Sequence, residues 1–130
     1  MANNKVEQYL IDLKFTYQQI DNNLWLLNDE EHSLPGVAVI LTEPLTIIRA
    51  EIMDIPNNNL QELYETLLKL NATDVILGAY AVENGKVILV DSLLYDTMNY
   101  ENFRASLDSI SLALTQHYPI LSKYREKQGG

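Results

Sequence analysis

The stretch ILGAYAVENGKVILVDSLLYD, residues 76–96, constrains the fold more than any other part of the sequence. Two apolar runs flank Glu83-Asn84-Gly85-Lys86, and an Asn-Gly step between apolar runs is typical of a β-hairpin turn. A strand with one face in solvent alternates apolar and polar residues, whereas both runs here are apolar at nearly every position. The hairpin therefore needs cover on both faces. Helices are expected to cover one face, and on the other either the sheet curls on itself or a second subunit covers it.

Hydrophobic periodicity and turn residues predict the elements before the hairpin. A short amphipathic helix is predicted over residues 4–13, because Val6, Tyr9, Leu10 and Leu13 recur at three- and four-residue steps. Strands and loops are predicted next: a hairpin over 16–27 turning at 21–23, a loop over 29–36, and strands over 37–41 and 45–55 with a break at 42–44.

Residues 59–70 carry the clearest helical pattern in the chain. The apolar positions match one face of a helix over its whole length: Leu60, Leu63, Tyr64, Leu67 and Leu68. Asn59 is a favourable N-cap for this helix. The last helix is predicted to start within residues 98–102 and to kink or end at Pro119, which lacks an N–H group. Residues 121–130 are expected to continue it and to fray.

These segments are summarised by the order α-β-β-β-α-β-β-α. Hairpin-connected strands with segregated helices predict the α+β class, with a mainly antiparallel sheet and helices packed on it. The length of 130 residues is that of one ordinary domain, so residues 1–130 are expected to fold as a single unit.

Charge and composition exclude several classes of function. The net charge of −9, with nine Lys and Arg residues, argues against nucleic acid and against an anionic membrane surface. The acidity is compatible with a basic protein partner, with a divalent cation, or simply with solubility. Because the chain has no cysteine, it has neither disulfides nor thiolate sites. With no signal-peptide core and no membrane-spanning run, a cytoplasmic protein is expected.

The acidic loop DEEH offers the one candidate metal site. Asp29, Glu30 and Glu31 supply hard oxygen ligands of the kind Ca²⁺ or Mg²⁺ prefers. The three acids are consecutive, so their side chains diverge in an extended loop, and the alternating spacing of an EF-hand is missing. A solvated loop is the main expectation, and a weak cation site is the alternative.

No set of residues predicts catalysis or a cofactor. His32 is expected to be solvated and His117 to pack within a helix. Neither histidine is therefore expected to act as the base of a Ser-His-Asp triad. Asp91 interrupts an apolar run and is expected to face solvent or a sheet edge; buried alone, its carboxylate would need a partner. The scattered glycines form no phosphate-binding loop.

A hydrophobic surface is the positive functional signal. A large continuous apolar patch marks a protein interface, and several strand residues are candidates for one because the opposite strand faces are already apolar. The predicted interface residues are Trp25, Ile47, Met53, Ile76, Tyr80 and Val82, with Leu27 beside them. The alternative is that these side chains simply fill one core.

The hairpin and the stretch NYENFRASLDSISLALTQHYPIL that follows it resemble the YbjN-like families of the type III secretion chaperone-like fold, which are small bacterial proteins with cyanobacterial relatives. In these families a small-residue strand, an Asn or Gly turn and a second apolar strand lead into a helix ending near Tyr-Pro. The resemblance implies a convex antiparallel sheet flanked by helices, frequent homodimers and no known enzymatic activity. No client-binding residue can be transferred from it.

The sequence thus favours a non-enzymatic protein-binding module, chaperone-like or regulatory, that acts as a homodimer without a cofactor. The client is a protein or peptide segment. The alternative is a Ca²⁺-responsive regulator that uses Asp29, Glu30 and Glu31.

Overall fold

The computed structural model describes residues 5–125. Its elements are α1 Lys5–Asp12, β1 Tyr17–Asp21, β2 Leu24–Asp29, β3 Leu34–Thr42, β4 Leu45–Asp54, α2 Leu60–Thr73, β5 Ala79–Glu83, β6 Lys86–Leu94, α3 Tyr100–Gln116 and α4 Tyr118–Ser122. The predicted α+β class is confirmed. The order departs from α-β-β-β-α-β-β-α in two ways: four strands precede α2, since both arms of the first hairpin join the sheet, and a short α4 follows α3.

The strands form one antiparallel sheet in the order β1-β2-β3-β4-β6-β5. The chain leaves the sheet after β4, runs through α2, and returns as the β5–β6 hairpin, whose second strand pairs with β4. The two edges of the sheet are therefore β1 and β5.

Two strand boundaries differ from the sequence pattern. β3 begins at Leu34, inside the predicted loop, because Leu34 is buried in the core. β5 begins at Ala79 rather than at Ile76, because the chain bends before Gly78. Gly78 has φ +90°, and a Cβ at this position would lie 2.8 Å from the carbonyl oxygen of Val90. Only glycine fits both conditions.

The helix ends show where local signals were sufficient. Asn99 precedes α3, and its side chain accepts a hydrogen bond from the Asn102 N–H at 2.8 Å. Asn59 occupies the N-cap position of α2 as predicted, but it has φ +57° and its side chain makes no capping hydrogen bond. α3 ends before Pro119, as predicted.

Other predicted ends were less accurate. α2 runs to Thr73, three residues beyond the predicted end. Residue 4, predicted in the first helix, and 126–130 of the predicted C-terminal tail lie outside the described residues.

The helices pack on one face of the sheet and form a single core with it. That core contains buried side chains from every helix and from β2 to β6, among them Leu10, Trp25, Val39, Ile48, Leu67, Leu89, Phe103, Leu107, Ile110 and Leu121. The sequence indicated that both faces of the β5–β6 hairpin must be covered, and the helices cover one of them. Among residues 5–125 no helix packs on the opposite face.

Candidate protein-binding surfaces

The face of the sheet opposite the helices is apolar and accessible. Strand register pairs Leu26 with Ala38, and Ile40 with Ile47, on this face. Their side chains are only partly buried, in contrast to the alternating residues that enter the core. Val90 lies on the same face, beside Arg49. We call this surface the open sheet face, defined by Leu26, Ala38, Ile40, Ile47 and Val90.

Ion pairs border the open sheet face at the β5–β6 end. The Arg49 guanidinium on β4 donates to the Glu83 carboxylate on β5, over the intervening strand β6. Lys86 Nζ donates to Asp54 Oδ1 at 2.6 Å. The hydrogen bond and charge of Lys86 lower the pKa of Asp54. These exposed pairs add little to stability, but they fix charge of both signs around the apolar centre.

A second apolar surface runs along the outer side of α2. Leu60, Tyr64 and Leu68 recur at four-residue spacing and form what we call the α2 stripe. Leu60 is 36% exposed and Leu68 is 67% exposed. Beside the stripe lies a shallow groove of about 240 Å³ between α2 and β5. Its lining includes Tyr64, Leu68, Asn71, Tyr80 and Val82.

The six predicted interface residues fall into two groups. Trp25, Met53 and Tyr80 are buried in the chain's own core at 0%, 8% and 6% exposure, as is Leu27. For these residues the alternative given by the sequence holds, because their side chains fill the core.

The other three are accessible. Ile47 lies on the open sheet face, while Ile76 and Val82 are 71% and 48% exposed. The predicted interface therefore continues as a proposal for these three side chains. The sequence did not predict the α2 stripe as a surface, because its leucines were assigned to the core-facing side of the helix. A face that includes residues 60, 64 and 68 as well as 63 and 67 is wider than one buried face needs.

A buried polar pair ties β5 to the junction of α3 and α4. The Tyr80 hydroxyl lies 2.7 Å from His117 Nδ1, and His117 is 2% exposed. Burial lowers the pKa of His117, opposed by the Asp74 carboxylate 3.7 Å from Nε2, and burial also raises the pKa of Tyr80. A neutral imidazole whose Nδ1 accepts a hydrogen bond from the Tyr80 hydroxyl fits this geometry. Both rings line a cleft of about 240 Å³ whose lining also includes Tyr118 and Arg125.

The acidic loop is built around a buried carboxylate. Asp29 is 3% exposed, contrary to the expected solvated loop, whereas Glu30, Glu31 and His32 are exposed as expected. One of its oxygens accepts the Thr16 N–H at 2.7 Å, and the other accepts the His32 N–H at 3.0 Å and lies 2.9 Å from His32 Nδ1. Burial acts to raise the pKa of Asp29, but these hydrogen bonds outweigh it and the pKa is lowered.

Ligand atoms of Asp29, Glu31 and His32 lie within 4.8 Å of one another. Both oxygens of Asp29 already accept hydrogen bonds from the protein, so this carboxylate holds the turn together. Glu30, the remaining predicted ligand, is not part of this cluster. The cation site stays a prediction.

Asp91 faces the helices rather than solvent or an edge. Its Oδ2 accepts a hydrogen bond from the Ser106 hydroxyl at 2.7 Å, and its Oδ1 accepts the Ser92 N–H at 3.0 Å. The expected solvent-facing position is therefore wrong. The carboxylate has partners from β6 and α3, and Ser106 is fully buried. The pair anchors α3 on the sheet.

Known proteins resemble this chain both in sequence and in fold. A sequence model of the CesT_Tir_1 family matches residues 1–127. Among curated protein sequences, none matches the chain. Within residues 5–125, no helix has the length and apolar character needed to span a membrane.

Three solved structures share the fold. The ExoU–SpcU complex of the Pseudomonas aeruginosa type III secretion system superposes with a TM-score of 0.73 at 13% identity, over 91% of this chain and 98% of the other. Escherichia coli YbjN, described as a putative transcription regulator, gives 0.66 at 18% identity, over 88% and 89%. The HopA1–SchA chaperone–effector complex gives 0.60 at 8% identity, over 95% and 91%. At these identities the likeness establishes the fold.

Proposed function

The chain belongs to the CesT_Tir_1 family, a type III secretion chaperone family, and from this premise we propose that it is a non-enzymatic, chaperone-like module that binds a protein client and acts as a homodimer. The observation that carries the proposal is the open sheet face, an apolar surface that no described helix covers. Structural neighbours that were solved as complexes, one of them described as a chaperone–effector complex, add support.

The chemistry of the open sheet face defines the client. Ile40, Ile47 and Val90 lie on one face of neighbouring strands, which suits an extended segment that lays alternate apolar side chains on it. The chain carries a net charge of −9, so basic residues flanking those side chains would strengthen association and speed it. The proposed client segment is thus extended, apolar at alternate positions and basic at its ends.

Peptide selection tests the client. The wild-type chain should enrich segments of that description from a displayed library, and Ile47→Lys should lose them, because a lysine side chain would stand in the apolar centre. Leu112→Lys is the matched control, since Leu112 is 42% exposed on α3 and the helices pack on the opposite face of the sheet. If Ile47→Lys selects the same peptides as wild type, or wild type selects none, the client proposal fails.

The α2 stripe supplies the proposed dimer contact. Leu60, Tyr64 and Leu68 form an i, i+4, i+8 ridge, and such ridges pack against their own copy across a two-fold axis. Val82 lies beside this ridge in the groove between α2 and β5. A dimer would cover these exposed side chains and leave the open sheet face for the client.

Light scattering tests the dimer. At tens of micromolar the mass should be about twice the 14.8 kDa of the chain. Leu68→Lys should halve it, whereas Leu112→Lys, at a 42% exposed position on α3, should not. A wild-type chain that stays monomeric refutes the dimer and leaves the client proposal to its own test.

We also propose that residues 1–130 form one domain and that the protein works in the cytoplasm. In support of the first, buried residues from all four helices belong to one core cluster.

A further inference from the structure

The edge strand β5 has its main chain occupied by a side chain from α2. Tyr80 N–H donates to Asn71 Oδ1 at 2.7 Å, and Asn71 Nδ2 donates to the Tyr80 carbonyl at 3.2 Å. β5 is the last strand of the sheet, and its other neighbour is β6. The groups that Asn71 binds are therefore those that would pair with a further strand.

The amide of Asn71 offers one acceptor and one donor, the same groups as one residue of a β-strand. We propose that Asn71 closes the β5 edge by mimicking that residue, and so prevents strand addition by a second copy of this chain. The contact lies within one chain, so it forms without a client and without the α2 dimer.

Closure at one residue is enough because β5 is short. In an antiparallel pair, main-chain groups point alternately toward the neighbouring strand and away from it. Within Ala79–Glu83, Tyr80 points away from β6, so Val82 is the next residue to do so. With Tyr80 occupied, an incoming strand finds the groups of Val82 alone, which cannot hold a register.

The β5 edge needs to be closed because its sequence and surroundings favour pairing with another copy of the chain. The β5 sequence AYAVE contains the strand formers Tyr80 and Val82 and carries one charge, and Val82 is 48% exposed. The groove beside it exposes Leu68 at 67%. An apolar, strand-forming edge next to an apolar groove is the kind of site at which copies of a protein pair.

Both halves of the contact are held by other interactions. Asn71 follows Leu67 and Leu70, which are buried in the core, and α2 extends past Asn71 to Thr73. Tyr80 is fixed through its hydroxyl by His117. The amide therefore meets the strand without ordering either partner anew, which makes the closure inexpensive in conformational entropy.

Amide hydrogen exchange on the single chain tests the contact. In wild type the Tyr80 N–H should be protected, and Asn71→Ala should speed its exchange at least about tenfold, a change equivalent to one hydrogen bond. Asn71→Asp keeps the acceptor for this N–H and should keep its protection. The Ala81 amide, which lies in the ladder with β6, should not change in either variant.

Association tests the consequence. Asn71→Ala should form species larger than wild type at the same concentration, and it should still enlarge the Leu68→Lys variant, in which the proposed α2 contact is lost. Thr73→Ala, in the same exposed helix end, should behave as wild type. Equal Tyr80 exchange in wild type and Asn71→Ala, or equal masses at all concentrations, would overturn the proposal.

Discussion

Leu67→Ala measures how firmly α2 is packed on the sheet. Leu67 is 4% exposed and belongs to the core cluster. The substitution removes three carbon atoms from that core, worth about 2.4 kcal/mol at about 0.8 kcal/mol for each buried carbon. The cavity left behind adds to this, so the free energy of unfolding should fall by about 2–5 kcal/mol.

Urea unfolding followed by circular dichroism gives the value directly. With a slope of about 2 kcal/mol/M, a loss of about 3 kcal/mol lowers the midpoint by about 1.5 M. The slope itself should not change, because the variant exposes the same surface when it unfolds. Thermal unfolding should show a midpoint lower by roughly 12 °C, at about 4 °C per kcal/mol.

Leu112→Ala is the matched control, with the same chemical change at a 42% exposed position on α3. It should change the free energy of unfolding by less than about 0.5 kcal/mol. A loss below about 1 kcal/mol for Leu67→Ala would mean that the inner side of α2 has been misassigned. Equal losses for the two variants would show that the measurement reports leucine content rather than burial.

Three further substitutions test single contacts by the same unfolding assay. His117→Gln should flatten the dependence of stability on pH. Burial lowers the pKa of His117 in the folded chain below 6.5, so the unfolded chain takes up the proton first and wild type loses stability as the pH falls below that value. A flat wild-type profile would contradict this. Gly78→Ala should cost about 1–3 kcal/mol, because φ is +90° and the new Cβ would meet the Val90 carbonyl at 2.8 Å; a neutral result would show that the bend relaxes freely. Asn99→Ala should cost about 0.5–2 kcal/mol through the lost N-cap of α3, and no change would mean that water replaces the cap.

The sequence predicted well the features that depend on neighbouring residues. The Asn84-Gly85 turn, the helix that contains Leu67 and the helix end before Pro119 all follow from local chemistry, and the structure has all three. The helix beginning after Asn59 was placed correctly although its cap differs, because apolar spacing alone sets its register.

Features that depend on long-range packing could not be predicted. Alternation along a strand separates two faces but does not say which one meets helices, so Trp25 and Tyr80 were placed with Ile47 although only Ile47 faces away from the core. Asp29 was predicted to be a solvated acid, because its hydrogen-bond partner Thr16 is thirteen residues away in the sequence. Such contacts have no periodic signature.

The open sheet face and the closed β5 edge answer the same physical problem. Apolar side chains such as Ile47 and Val90 can bind a client only if they stay uncovered, yet a sheet with an uncovered apolar face is prone to pair through its edges as well. Blocking the main chain of Tyr80 with Asn71 removes one route and leaves the side-chain surface untouched. At this end of the sheet a partner must therefore be recognised by its side chains, which differ between proteins, rather than by its backbone, which does not. Selectivity for a client then depends on the closed edge as much as on the open face, and Asn71→Ala should bind peptides less selectively in the library selection that tests Ile47.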